Sequence, residues 1–140
     1  MNEILKRIND AEFLWKFRRK ESAFLLVLIA LAAASRAKYP TIKGDKDAFE
    51  TFFKEFNGHI ISVEFRGDCI PLEKIFYKWM RCELVHEGGL PADIKFMKEE
   101  KCGTMSIRAG GKPEFVLKIG EGWFFHLKDS LKIFLQSIKN

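Results

Sequence analysis

Four side chains able to do acid–base or anion chemistry fall close together near the middle of the chain. They are Arg81, Cys82, Glu83 and His86, within Tyr77-Lys-Trp-Met-Arg-Cys-Glu-Leu-Val-His-Glu-Gly-Gly-Leu-Pro91. A histidine can accept or donate a proton near neutral pH. An arginine can hold a phosphate and offset negative charge that develops on it. Glu83 lies between them as a supporting group. The other reading of Arg81 and His86 is structural, with hydrogen bonds to Glu83, Glu87 or a backbone end. Cys82 and His86 also stand at i, i+4, a spacing that zinc ligands on a helix can use. Cys69 or Cys102 would have to complete such a set, and no CxxC or HExxH accompanies them. A small buried apolar residue accounts for Cys82 equally well. There is no glycine-rich phosphate loop, because Gly110-Gly111 lies between strand candidates, and no Ser/His/Asp constellation.

The element that must position these groups is a helix over about 71–87. Leu72, Ile75, Phe76, Trp79 and Met80 recur at the spacing of one buried helical face. On that period the next positions are Glu83, His86 and Glu87, so an apolar stripe turns polar where a site is expected. Pro71 fits the first helical position, Gly88 the left-handed residue past the end, and Pro91 blocks continuation. Arg81 falls about 180° round from Leu72, among Tyr77, Leu84 and Val85. The last two turns are therefore apolar on more than one face, which another element or a second subunit would cover. The five-residue step from Arg81 to His86 is about 140° on an α-helix, so the two do not stack on one face.

Arg81-Cys-Glu-Leu-Val-His86, closing an aromatic-rich helix before Glu-Gly-Gly-Leu-Pro, resembles the Arg-x4–6-His signature of HEPN-domain proteins. The resemblance covers the helical parts, not residues 94–125. It implies a helical bundle that dimerises so that the Arg and His of two protomers form one composite site. It further implies a metal-independent endoribonuclease or a nucleotide-binding partner, of toxin–antitoxin or defence type, needing no cofactor. Arg81 and His86 are the matching catalytic positions. In such a site RNA's own 2′-oxygen is the nucleophile and a cyclic phosphate is the product. Catalytic members usually carry a polar residue directly after the arginine, where this chain has Cys82. Cleavage, binding of RNA or a nucleotide without cleavage, and a purely structural or dimerising role with a cognate toxin or antitoxin partner all stay open.

The remainder of the chain frames that helix. A length of 140 residues fits one domain, 1–140, and 47% hydrophobic content with 14 phenylalanines excludes disorder. A net charge of +5 permits an anionic partner without requiring one. Three cysteines at no familiar spacing read as reduced thiols of a cytoplasmic protein. Residues 2–18 form an amphipathic helix ending in Phe13-Leu-Trp-Lys-Phe-Arg-Arg-Lys20, either an RNA or membrane-surface patch or a solvated charged turn. The apolar run Ala23–Ala34 is too short for a membrane span, which takes about 20 residues. A buried helix over 20–38 is expected in preference to a signal peptide. A helix over 45–56 puts Phe49, Phe52, Phe53 and Phe56 on one side. Residues 59–70 are either extended or a loop, with His59 on the surface. Three or four strands within 94–125, including Trp123–Phe125, predict an antiparallel meander, with Ala109–Pro113 a turn cluster. A last helix over 127–138 faces inward through Leu127, Leu131, Phe134, Leu135 and Ile138. The expected class is α+β, mainly α: about five helices with a small antiparallel meander inserted before the last. A homodimer without membrane attachment is expected.

Overall fold

The computed structural model describes residues 2–112 and 114–138; Pro113 of the expected turn cluster lies outside them. The order is α1 (Asn2–Lys16), α2 (Lys20–Lys38), α3 (Asp45–Asn57), β1 (Ser62–Phe65), β2 (Asp68–Pro71), α4 (residues 72–86), β3 (Ile94–Met97), β4 (Ile107–Ala109), β5 (Leu117–Gly120) and α5 (Gly122–Ser137). The class is α+β and mainly helical, as the sequence periods require.

Helix α2 is the axle. Its apolar surface is covered on most sides because α1, α3, α4 and α5 all pack on it, with Ala33 left exposed. Phe24, Val27, Leu28, Ala30, Leu31 and Ala34 are fully buried. Removing such side chains from water is the main driving force for this assembly, at about 1.5–3 kcal/mol for each large one. Among the described residues no helix is long and apolar enough to cross a membrane. Around α2, Ile4, Ile8 and Ala11 of α1 and Phe49, Phe52 and Phe53 of α3 turn inward. Helix α3 stops at Gly58, which takes the left-handed conformation expected of it (φ 72°). At the α1–α2 corner, Trp15 stacks on Phe124 of α5 at 4.1 Å, whereas Phe13 and Phe17 stay outside with the exposed Arg18 and Arg19.

Residues 59–70, left open between extended and loop, include a hairpin. Strands β1 and β2 pair antiparallel, with Phe65 opposite Asp68. The two turn residues, Arg66 and Gly67, both have positive φ (54° and 85°). That is the twist a two-residue hairpin turn prefers. An arginine carries no sequence signal for it.

Three expectations for the C-terminal third are corrected. The second sheet is not an antiparallel meander: its order is β3-β5-β4, with β3 parallel and β4 antiparallel to β5. The central place goes to the strand with the most apolar residues to hide, since Leu117 and Ile119 are buried together with the small Gly120. Trp123–Phe125 is not a strand either; it is the first turn of α5. Trp123, Phe124, Leu127, Leu131 and Leu135 make one buried face at helical spacing. The helix starts early because Glu99, far back in the chain, caps it. Its carboxylate accepts hydrogen bonds from the Gly122 and Ser106 N–H groups (3.0 Å each) and the Thr104 hydroxyl (3.1 Å). Ile138 lies past the end of α5 and is exposed, not inward.

Candidate functional site

Helix α4 does not keep one geometry. It opens with α-helical Leu72–Lys74, runs as π-helix over Ile75–Cys82, and closes as α-helix over Glu83–His86. Pro71 ends β2 one position before the helix instead of opening it. A π turn closes i→i+5 hydrogen bonds and takes up more residues than the 3.6 of an α turn. The buried face runs through Leu72, Ile75, Phe76 and Met80 as expected and then reaches Leu84. The expected stripe through Trp79 to Glu83 and His86 is rotated away. Leu84 is 5% exposed, Glu83 only partly covered, and His86 exposed. The apolar stripe ends at Leu84; it does not become polar. Gly88 closes the element with φ 79°, as expected.

Arg81 is half-buried. Its guanidinium carbon lies 5.3 Å from the Tyr77 ring centroid, a cation–π contact. Its Nε is buried without a hydrogen-bond partner. Tyr77 packs on Phe49 of α3 at 5.2 Å. Burial raises the Tyr77 phenol pKa, and the Arg81 charge pulls the other way. Among the described residues, Arg81, Glu83 and His86 enter no ion pair. The structure thus puts the three on one helix end and joins none of them to another. His86 stands next to Val85, which is 51% exposed. Cys69 and Cys102 are exposed, Cys82 is half-buried, and all three are free. Among the described residues no three His, Cys, Asp or Glu side chains are grouped to hold a metal ion.

Trp79, turned off the core by the π segment, meets the hairpin. Its ring contacts Phe65 edge-on at 5.4 Å and receives the Arg66 guanidinium at 4.2 Å and the Lys78 ammonium at 4.8 Å. Arg66 also donates two hydrogen bonds to Asp93, Nε to Oδ2 at 2.7 Å and Nη2 to Oδ1 at 2.9 Å. This bidentate pair is the main reason the Asp93 carboxyl is held below its ordinary value. Asp93 and then Glu83 add to the negative field on Arg66. Sequence reasoning missed Arg66 and Asp93, since 27 residues separate them and neither sits in a motif.

It also missed His126, which lines a cavity of about 680 Å³ between α5 and the 98–105 loop with Cys102, Glu121 and Asp129. Burial lowers the His126 pKa against the opposing pull of Asp129, and its Nε2 is buried without a partner. The signal available was its place at i+3 from Trp123, on the edge of the buried stripe of α5.

No family model, no curated protein and no solved structure matches this chain. The functional reading therefore rests on the geometry of the α4 end.

Proposed function

We propose that the chain is an RNA- or nucleotide-binding module of HEPN-like type that acts as a homodimer through the end of α4. The observation that carries the reading is Arg81: a guanidinium kept half-buried over Tyr77, without a carboxylate partner among the described residues. An arginine with no carboxylate beside it is open to an anion at the accessible part of its guanidinium, and phosphate is the acceptor arginine matches best. The eight-residue π segment around it supports the same reading, since departures of this kind gather at functional sites. Exposed Val85 beside His86 supplies the apolar contact for a second copy.

In the dimer, His86 from one subunit or the other takes the proton of an RNA 2′-hydroxyl as that oxygen attacks the adjacent phosphorus. Arg81 holds the phosphate and offsets the charge that builds on it. The P–O5′ bond breaks as the 5′-oxygen takes a proton from a protonated His86, that of the second copy or the one that accepted the 2′ proton, leaving a 2′,3′-cyclic phosphate and a 5′-hydroxyl. The chemistry calls for no metal. The test is cleavage of a mixed-sequence RNA in EDTA by wild type, Arg81→Ala and His86→Ala. Loss of about 10²-fold or more in either variant is expected for an acid–base or charge-stabilising group. Equal rates for all three remove catalysis.

One observation favours a second, non-catalytic reading: no side chain among the described residues hydrogen-bonds the His86 ring to fix its tautomer. RNA affinity without product is its signature. Dimerisation with neither RNA affinity nor product would direct the search to a cognate toxin or antitoxin partner.

A further inference from the structure

The outer face of the three-stranded sheet carries a charge pattern that folding alone does not reward. Strand residues alternate between two faces. In β3, β5 and β4 the rungs Ile94–Leu117–Ala109 and Phe96–Ile119–Ile107 face the core side, where Ile94, Leu117 and Ile119 are buried. The rung between them faces outward and is Lys95–Lys118–Arg108. Lys95 pairs with Lys118 across the parallel ladder, and Lys118 with Arg108 across the antiparallel one. Three cations thus stand in a row across three neighbouring strands, spanning about 10 Å at the ordinary spacing between strands. Like charges directly opposite each other destabilise a sheet.

The 98–106 loop adds to the row. Lys98 and Lys101 join Arg108 and Lys118 around a groove of about 330 Å³, with the Thr104 and Ser106 side chains between them. Little acid offsets these charges. Glu100 reaches Arg108, and Glu114 reaches Lys118, only at 3.8 Å. Among the described residues Lys95, Lys98 and Lys101 enter no ion pair. Glu100 is the one carboxylate among the described residues that lines the groove, whereas Glu99 beside it is held by the Ser106 and Gly122 N–H groups and the Thr104 hydroxyl. Those same bonds fix the loop, so the groove is formed before anything enters it.

We infer that this face is a binding site for the phosphodiester backbone of single-stranded RNA. A row of fixed cations matches a chain of phosphates better than one isolated anion. Among the described residues no aromatic side chain lines the groove, and its large apolar residue is the partly covered Met97, so it has no base-stacking platform. It grips the backbone, and its preference for sequence is weak. This rests on the RNA-directed reading of Arg81 and His86, and gives that site a second, separate surface that holds the strand.

The discriminating variant is Lys118→Glu. It places opposite charges across both ladders while losing the long, exposed contact to Glu114, so the two effects offset and the melting temperature changes little. The same change puts a carboxylate in the phosphate track. Binding of a labelled mixed-sequence single-stranded RNA is measured by anisotropy over a salt series for wild type, Lys118→Glu and Arg81→Ala. The wild-type affinity falls with salt. Lys118→Glu is weaker by about tenfold or more at low salt, and its salt slope is shallower by about 0.7 for each phosphate that is no longer neutralised. Unchanged affinity in Lys118→Glu overturns the inference even where Arg81→Ala loses binding, and in that case the Arg81 reading survives. Weakened Lys118→Glu with wild-type-like Arg81→Ala upholds the sheet face and removes Arg81 from RNA binding. A wild type that binds anionic vesicles and not RNA overturns the inference.

Discussion

Single side chains divide here into those with a partner and those without one. Arg66 and Asp93 have each other, and their pairing makes stability depend on pH. Asp93 has a folded-state pKa below its ordinary 3.8, chiefly through the hydrogen bonds from Arg66. Its contribution is therefore fully present above 3.8 and is lost as pH falls through the lower folded value. Arg66→Ala removes the cause. Urea denaturation at a series of pH values is expected to show wild type more stable than Arg66→Ala above about pH 4, with the gap closing as pH falls below that. The gap also shrinks in molar salt, because the pair is partly exposed. Arg81 is the opposite case, a cation with an aromatic neighbour and no counter-charge among the described residues, and the cleavage assay in EDTA is the measurement that decides its role. The Arg81 and His86 spacing was visible in the sequence. Arg66 was not, because its meaning depends on a hairpin turn, a tryptophan and an aspartate brought from three different segments.

At the scale of elements, the π segment decides which face of α4 is buried. A regular α-helix keeps Trp79 and Glu83 on the core stripe; the wider turn replaces Glu83 by Leu84. Leu84→Ala is therefore expected to cost about 2–5 kcal/mol, and Glu83→Ala no more than about 0.5 kcal/mol. Equal costs in chemical denaturation would restore the α-helical register. The N-terminus of α5 makes a second case. Its cap is Glu99 from the loop after β3, and burial of that carboxyl is outweighed by its hydrogen bonds with Ser106, Gly122 and Thr104, so its pKa is lowered. Glu99→Ala is expected to lower stability by about 1–2 kcal/mol, the range for a lost helix cap. Amide exchange should quicken first at Gly122 and Ser106, the two donors set free. Gly122→Ala tests the same junction from the other side. A Cβ there would run into the Thr104 carbonyl, so backbone must move.

The whole molecule presents two surfaces of different character. The end of α4 offers Val85 in the open beside His86, and the sheet offers cations. Sedimentation equilibrium is expected to give a dimer for wild type and a monomer for Val85→Glu. That site is half exposed, so a carboxylate is tolerated in the isolated subunit and is buried only in the pair. A monomeric wild type, or a dimer that survives Val85→Glu, would move the interface elsewhere. The exposed Phe13 and Phe17, packed on each other at 4.9 Å, are the next place to look.

Local physics wrote much of this chain into its sequence. Helical periods fixed α1, α2, α3 and the inner face of α5; Gly58 and Gly88 ended helices where left-handed residues must; the length of the apolar run in α2 called for a buried helix. Each of these depends on residues within a few positions of one another. Tertiary structure decided what depends on distant ones. Strand order followed from which strand had most to hide, α5 began early because Glu99 reaches Gly122 across 23 residues, and the π turn redirected Trp79 onto Arg66. The outward row of Lys95, Lys118 and Arg108 exists only once three strands lie in register, because alternation along each strand assigns a face and pairing between strands makes the row.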